Sequence, residues 1–186
     1  MQYVIVTVGK THSGKTTFGL ELKKKLKYCT LIDGDVVANF LKTNFSDMYD
    51  DDYIKGTLIR SSWAHLKRAV FQEIFEHALQ ETDLPVILTN SNPSTAHRKE
   101  GRMLAHQAKR KFIIVYLNRP EDVLVKRIYT TKRPRYSQAH FEDFLVNKQS
   151  TFFQAPDKKE ADIFFEIHDE TSRKKTIVEI LKLLKK

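Results

Sequence analysis

Little in this chain can be cross-linked, and no part of it is apolar for long. A single cysteine, Cys29, stands among 186 residues. It can form no internal disulfide and is expected as a reduced thiol beside a buried strand, in a cytoplasmic setting. No apolar run approaches the roughly 20 residues that span a bilayer, so no membrane partner is expected. Residues 3–8 follow Met1 and Gln2 directly, without a basic segment or a small-residue cleavage site, and read as structure and not as a leader. Internal repeats and low-complexity tracts are also lacking. One domain over 1–186 is the expectation that remains.

What the chain does have is positive charge. Lysine and arginine number 32 against 23 acidic residues, a formal charge of +9, which favours anionic partners such as nucleotides or nucleic acid. The basic residues come in scattered runs (Lys23–Lys25, 109–111, 173–175), and such runs are usually solvated helix faces and ends. Charge alone therefore does not establish nucleic-acid binding. A hydrophobic fraction of 41% suffices for a core.

The apolar pattern alternates between short β-branched runs and helical periodicity. Strands are expected at 3–8, 30–32, 85–89, 111–117 and 163–167. Helices are expected at 15–26, 36–41, about 55–80, 95–109, from Pro120 to about 130, about 138–153 and 171–184. The acidic stretch 47–52 reads as an exposed connection. Such alternation implies an α/β fold, a parallel five-stranded sheet with helices on both faces, whose ligands sit at the carboxyl ends of the strands.

Gly9-Lys10-Thr11-His12-Ser13-Gly14-Lys15-Thr16 fits the phosphate-binding loop, with a strand before it and a helix after it. Glycines let successive N–H groups close around an anion, and the helix N-terminus adds a favourable dipole. Gly9, His12, Ser13, Gly14, Lys15, Thr16 and Thr17 are the expected ATP-binding residues. Lys15 is expected to neutralise the β- and γ-phosphates and the Thr16 hydroxyl to bind Mg²⁺. Lys10 and His12 are loop-tip residues, not catalysts.

Asp33-Gly34-Asp35 ends the second strand, where it faces the γ-phosphate position. Two carboxylates there can divide the work, one as general base and one holding the metal or its waters. The competing reading is an Asp-Gly turn with Asp35 capping the next helix.

The phosphate loop, this Asp-Gly-Asp, and Val86-Ile87-Leu88-Thr89-Asn90-Ser91-Asn92-Pro93 leading to Arg98 together resemble adenylylsulfate kinases. They also resemble the wider group of polynucleotide 5′-kinases, chloramphenicol phosphotransferases and zeta-toxin-like kinases. The resemblance implies a three-layer P-loop fold and transfer of the γ-phosphoryl of ATP to a hydroxyl, with Asp35 as base. Adenylylsulfate kinases lack an acid at the end of the third strand, as here, where Thr89 and Asn90 stand. Metal binding then falls on Thr16 with Asp33 or Asp35; Thr16 and Asp33 are carried forward. Without that acid, and without an Asn-Lys-x-Asp motif, a motor ATPase or switch GTPase is disfavoured.

The group's acceptor anchors are incomplete. Ala38 stands where adenylylsulfate kinases and polynucleotide kinases place an arginine, and Leu58-Ile59-Arg60-Ser61 keeps one arginine of the adenylylsulfate kinases' pair. Arg60, Arg98, Asp33 and Asp35 are the acceptor-side candidates. Similar kinases carry arginines in a lid, expected here over about 127–150. Arg127 and Arg133 are the chosen catalytic arginines, with Lys126 and Arg135 next; Lys132 and Pro134 complete the turn. His140, Phe141 and Phe144 pack the lid helix. Residues 168–173 border the adenine by position, and Phe40, Phe45, Tyr49, Tyr53 and Trp63 lie on the acceptor side. Two readings stand beside a kinase of a small or nucleotide-like acceptor: a kinase of nucleic-acid 5′-ends or modified bases, and a nucleotide-binding regulatory module without an acceptor.

Overall fold

A computed structural model describes residues 2–45, 59–131 and 137–185, with the backbone alone for 59–64. The elements are β1 (Tyr3–Val8), α1 (Lys15–Lys25), β2 (Thr30–Ile32), α2 (Gly34–Asn44), α3 (Ile59–Glu81), β3 (Val86–Leu88), α4 (Thr95–Gln107), β4 (Lys111–Leu117), α5 (Glu121–Thr130), α6 (Gln138–Asp143), β5 (Ile163–Ile167) and α7 (Glu170–Leu184). After α6 the same helix continues as a π-helix, Phe144–Gln149, and a last turn, Ser150–Phe152. The expected acidic connection, Tyr49, Tyr53, Lys132, Arg133, Pro134 and Arg135 lie outside the described residues, as do the side chains of Arg60 and Trp63.

All five strands are parallel, in the order β2-β3-β1-β4-β5. β1 is buried at every position because both of its faces are covered. Val4, Val6 and Val8 meet Phe75 and Leu79 of α3 and Ala105 of α4. Tyr3 and Ile5 face the opposite layer, with Phe18 and Leu22 of α1 and Ile177 and Ile180 of α7. The strand period of two thus feeds two helical layers from one apolar run.

Chain direction locates the crevice. From β1 the chain turns towards β2; from β3 it crosses over to β4 on the other side. Loops leaving these adjacent strands diverge and open a site at their carboxyl ends.

Two details differ from expectation. α2 starts at Gly34, earlier than expected, because Asp33 caps it: Asp33 Oδ1 accepts a hydrogen bond from Asp35 N at 2.8 Å. Asp35 is therefore not the cap. Arg110 is not a solvated member of a basic run. It is 2% exposed and donates to the carbonyls of Ala78, Leu79, Thr82 and Leu84. It thereby satisfies carbonyls that the end of α3 leaves without partners.

Asp162 ties β5 to α4. Its carboxylate accepts from Phe112 N at 2.7 Å, His106 at 2.8 Å and Arg102 at 2.5 Å. Burial raises its pKa, but these hydrogen bonds outweigh burial and bring it down to about 2. A depressed carboxylate pKa stabilises the fold above its unfolded value, and the contribution disappears as pH falls from about 4 to about 2. Denaturant melts should show Asp162→Asn about 2 kcal/mol less stable than the parent at pH 6. The gap should close as pH approaches 2.

Candidate active site

Gly9 and Gly14 shape the cradle for different reasons. A Cβ on Gly9 would lie 2.7 Å from Ser13 Oγ and 3.0 Å from the Leu117 carbonyl. Gly14 sits at φ +99°, a left-handed conformation that only glycine adopts without strain. His12 at φ +57° is held in the same region by its surroundings. It is 7% exposed and packs edge-on against Phe141 at 4.9 Å. The expected loop-tip histidine is thus a buried wedge between the cradle and the lid helix.

Lys15 Nζ folds over the loop, donating to the Lys10 carbonyl at 2.7 Å and Ser13 Oγ at 3.4 Å. Thr16 Oγ1 donates to Asp33 Oδ2 at 3.1 Å, and Thr89 Oγ1 donates to the same oxygen at 2.9 Å. Asp33 is 9% exposed, and it accepts from two hydroxyls and one N–H. No ion pair to it is found among the described residues. A carboxylate buried without a cation beside a threonine hydroxyl is a donor set that fits a divalent ion. No group of three or more His, Cys, Asp or Glu side chains able to hold a metal occurs among the described residues. Such a site suits an ion that brings its remaining oxygens as phosphate and water, as Mg²⁺ does.

Thr16, Thr17, Lys15 and Asp35 line one cavity of about 370 Å³, together with Thr89, Asn90 and Ser91 from the end of β3. Asp35 is exposed within it. The structure therefore brings the cradle and the Asp-Gly-Asp together. Arg127 reaches the loop from behind, its Nη1 donating to the His12 carbonyl at 3.3 Å and the Ser13 carbonyl at 3.2 Å.

Arg98, expected as an acceptor contact, lines a cavity with Asn90 and Asn92, but its guanidinium is already paired within the protein. It is 2% exposed and pairs through Nε with Glu160 Oε2 at 2.7 Å. Its Nη1 donates to the Asn92 carbonyl and its Nη2 to Thr95 Oγ1 and Glu160 Oε1. The guanidinium is consumed in bracing the loop after β3 against the 3₁₀ turn Lys158–Glu160. Removing one partner strands the other charge in the interior, so Arg98→Leu should cost about 3–5 kcal/mol. A melting curve checks this, and a change below about 1 kcal/mol would contradict it.

Phe40 and Phe45 are exposed and meet edge-on at 6.3 Å on α2 and just after it. Phe141 packs with Leu124, Ile128 and Leu145, as expected of a lid helix. Residues 168–173 form the start of α7, with Asp169 capping it through Ser172 N. Arg119 stands there as well, donating to the His168 carbonyl at 2.6 Å. Burial first, and neighbouring Arg127 second, push its pKa below the usual arginine value. Burial raises the pKa of the Cys29 thiol, with Lys23 opposing, which keeps it protonated and unreactive.

Sequence reasoning missed Lys67, Gln149 and Arg119. Lys67 of α3 lines the cradle cavity and a second cavity of about 470 Å³. Gln149 is 2% exposed and accepts from Thr11 N at 2.7 Å. Its only sequence signal is a glutamine on an apolar helix face, beside Leu145, which is weak.

Among the described residues no helix is long and apolar enough to cross a membrane. A search of the curated proteins finds no match to this sequence. Among solved structures, a putative kinase from Chloroflexus aurantiacus J-10-fl superposes with a TM-score of 0.71 at 15% identity, covering 99% of this chain and 96% of that one. APS kinase CysC of Mycobacterium tuberculosis, solved with AMPPNP and APS, gives 0.61 at 17% identity, covering 100% and 98%. Kti12 of Chaetomium thermophilum, solved with ADP-AlF3, gives 0.60 at 16% identity, covering 96% and 97%. At such identities the likeness is one of fold: the three-layer P-loop kinase fold. A family model described as AAA domain matches residues 4–156. The chain belongs to that AAA domain family of P-loop proteins.

Proposed function

We propose that this protein transfers the γ-phosphoryl of ATP to a hydroxyl of a small acceptor. The observation that carries the reading is the single cavity in which Lys15, Thr16 and Asp35 converge beside the buried Asp33 carboxylate. The acceptor oxygen attacks the γ-phosphorus, and a new O–P bond forms. The bond from that phosphorus to the β–γ bridging oxygen breaks, and its electron pair leaves with ADP. The hydroxyl proton passes to the Asp35 carboxylate, the general base. Lys15 offsets charge on the β- and γ-phosphates, the lid residue Arg133 supplies further positive charge to the transferred group, and Arg127 adds its charge from behind the loop, on the His12 and Ser13 carbonyls. Thr16 and Asp33 would hold Mg²⁺, which when bound neutralises phosphate oxygens.

The second cavity supports a small acceptor over a long one. Lys67 and Asn90 line both cavities, so they adjoin at that wall. The second is floored by Phe71, Phe75 and Phe112 and has the size of a small-ligand pocket. Arg60 of α3 remains a candidate acceptor contact. The same reading treats 1–186 as one domain with a lid over about 127–150, in a cytoplasmic setting.

A labelled-ATP transfer screen tests the reading, with arms of nucleosides, adenylylsulfate, aminoglycoside-like and phenicol drugs, and DNA or RNA ends. Labelling of a small hydroxyl compound supports it. Gly101→Leu should then abolish labelling while nucleotide affinity holds. A Cβ at Gly101 makes only ordinary contact with Phe112 at 3.6 Å, and a longer side chain there would enter the second cavity. Labelling of strand ends alone, falling steeply with salt, would favour the second reading that the +9 charge suggests. Tight ATP binding with slow hydrolysis in every arm would leave a regulatory module.

A further inference from the structure

Gln149 is a buried amide with one end accounted for. Backbone N–H groups only donate, so the atom 2.7 Å from Thr11 N is the carboxamide oxygen. The Nε2 end then carries two N–H donors that find no acceptor among the described residues. The residue is 2% exposed and lines the phosphate cavity. The Nε2 end is not sealed in the interior but open to that cavity, and amide donors that face an anion site suit an anionic oxygen.

The π-helix explains how a residue near the end of the lid helix reaches the loop. π-turns are rare and recur at functional sites, where the extra residue per turn re-aims the side chains beyond it. Here the segment Phe144–Gln149 buries both Leu145, against Leu124 and Ile128, and Gln149, against the cradle. The carboxamide oxygen is anchored on the loop tip, which fixes the orientation of the nitrogen.

We propose that Gln149 binds the terminal phosphate of ATP through Nε2, and so sets the preference of the cradle for ATP over ADP. The proposal rests on the kinase reading only in taking ATP as the nucleotide. Glutamate is nearly isosteric and keeps an oxygen for Thr11 N, but it replaces the donor with negative charge. Leucine removes both ends at similar volume.

Displacement of a fluorescent nucleotide by ATP and by ADP, each with Mg²⁺, provides the test without any acceptor. Gln149→Glu should weaken ATP at least tenfold and leave ADP within twofold. Gln149→Leu, checked by melting temperature, should narrow the ATP-to-ADP affinity ratio of the parent. An equal loss for both nucleotides, in both variants, would mean that Gln149 only braces the loop, and would overturn the proposal. Unchanged affinities in Gln149→Glu would overturn it too. If the parent binds neither nucleotide, the kinase reading and this proposal fall together. If the parent prefers ATP but labels no acceptor, the kinase reading fails alone.

Discussion

Lys15→Ala should leave a folded protein whose phosphoryl transfer is reduced about 10²–10³-fold. The ammonium donates inside the loop, to the Lys10 carbonyl and Ser13 Oγ. Both contacts are local, so little of the fold depends on them. What is lost is a positive charge on the wall of the cradle cavity, beside Thr16, Thr17 and Thr89. Charge that grows on the transferred group then lacks its nearest counter-charge, and positioned donors of this kind contribute about 10²–10³ each in rate. Single-turnover transfer from labelled ATP measures it, with a melting curve as control. Activity within tenfold of the parent would remove Lys15 from the mechanism. Lys15→Arg should not restore the rate, because a planar fork does not fit a site shaped for a point charge.

The second large effect concerns Asp35. Asp35→Asn should lower transfer by about 10²–10⁴-fold while ATP affinity stays within a few-fold. The Asp35 backbone N–H, and not its carboxylate, donates to Asp33 in capping α2. The side chain is exposed in the cradle cavity, so the amide exchange leaves the helix start intact. Asp33→Asn should behave differently. Its carboxylate serves Thr16, Thr89 and the cap at once, so stability and nucleotide binding should fall together. Separate responses of the two variants would divide base from metal partner. Full acceptor phosphorylation by Asp35→Asn would show the base assignment to be wrong.

The elements and the site differ in how far they could be read from the chain alone. The five strands and the phosphate loop depend on near neighbours: β-branched runs, a glycine where a Cβ would strike Ser13, and a lysine opening a helix. Those signals are complete within a short stretch of chain, and the expected strands match to within one residue at each end. Asp33 and Asp35 were legible for the same reason, although the choice of cap was not. A carboxylate two residues from an N–H and another at the N–H itself look equivalent in one dimension.

The remaining features depend on partners far away in the chain. Arg98 looks like any surface helix arginine until Glu160, 62 positions on, arrives to pair with it. Arg110 looks like part of a solvated run until the end of α3, 31 or 32 positions back, comes to rest on it. Lys67 and Gln149 gain meaning only because α3 and the lid helix close on the cradle from distant parts of the chain, Gln149 standing 138 positions from Thr11. Hydrogen-bonding geometry and side-chain period are local, so the order of residues was enough to specify a P-loop on a parallel sheet. Which basic and amide side chains face that cradle, and which brace the interior, was decided only when the helices packed. For a long polar side chain, burial and partner are set by what packs over it.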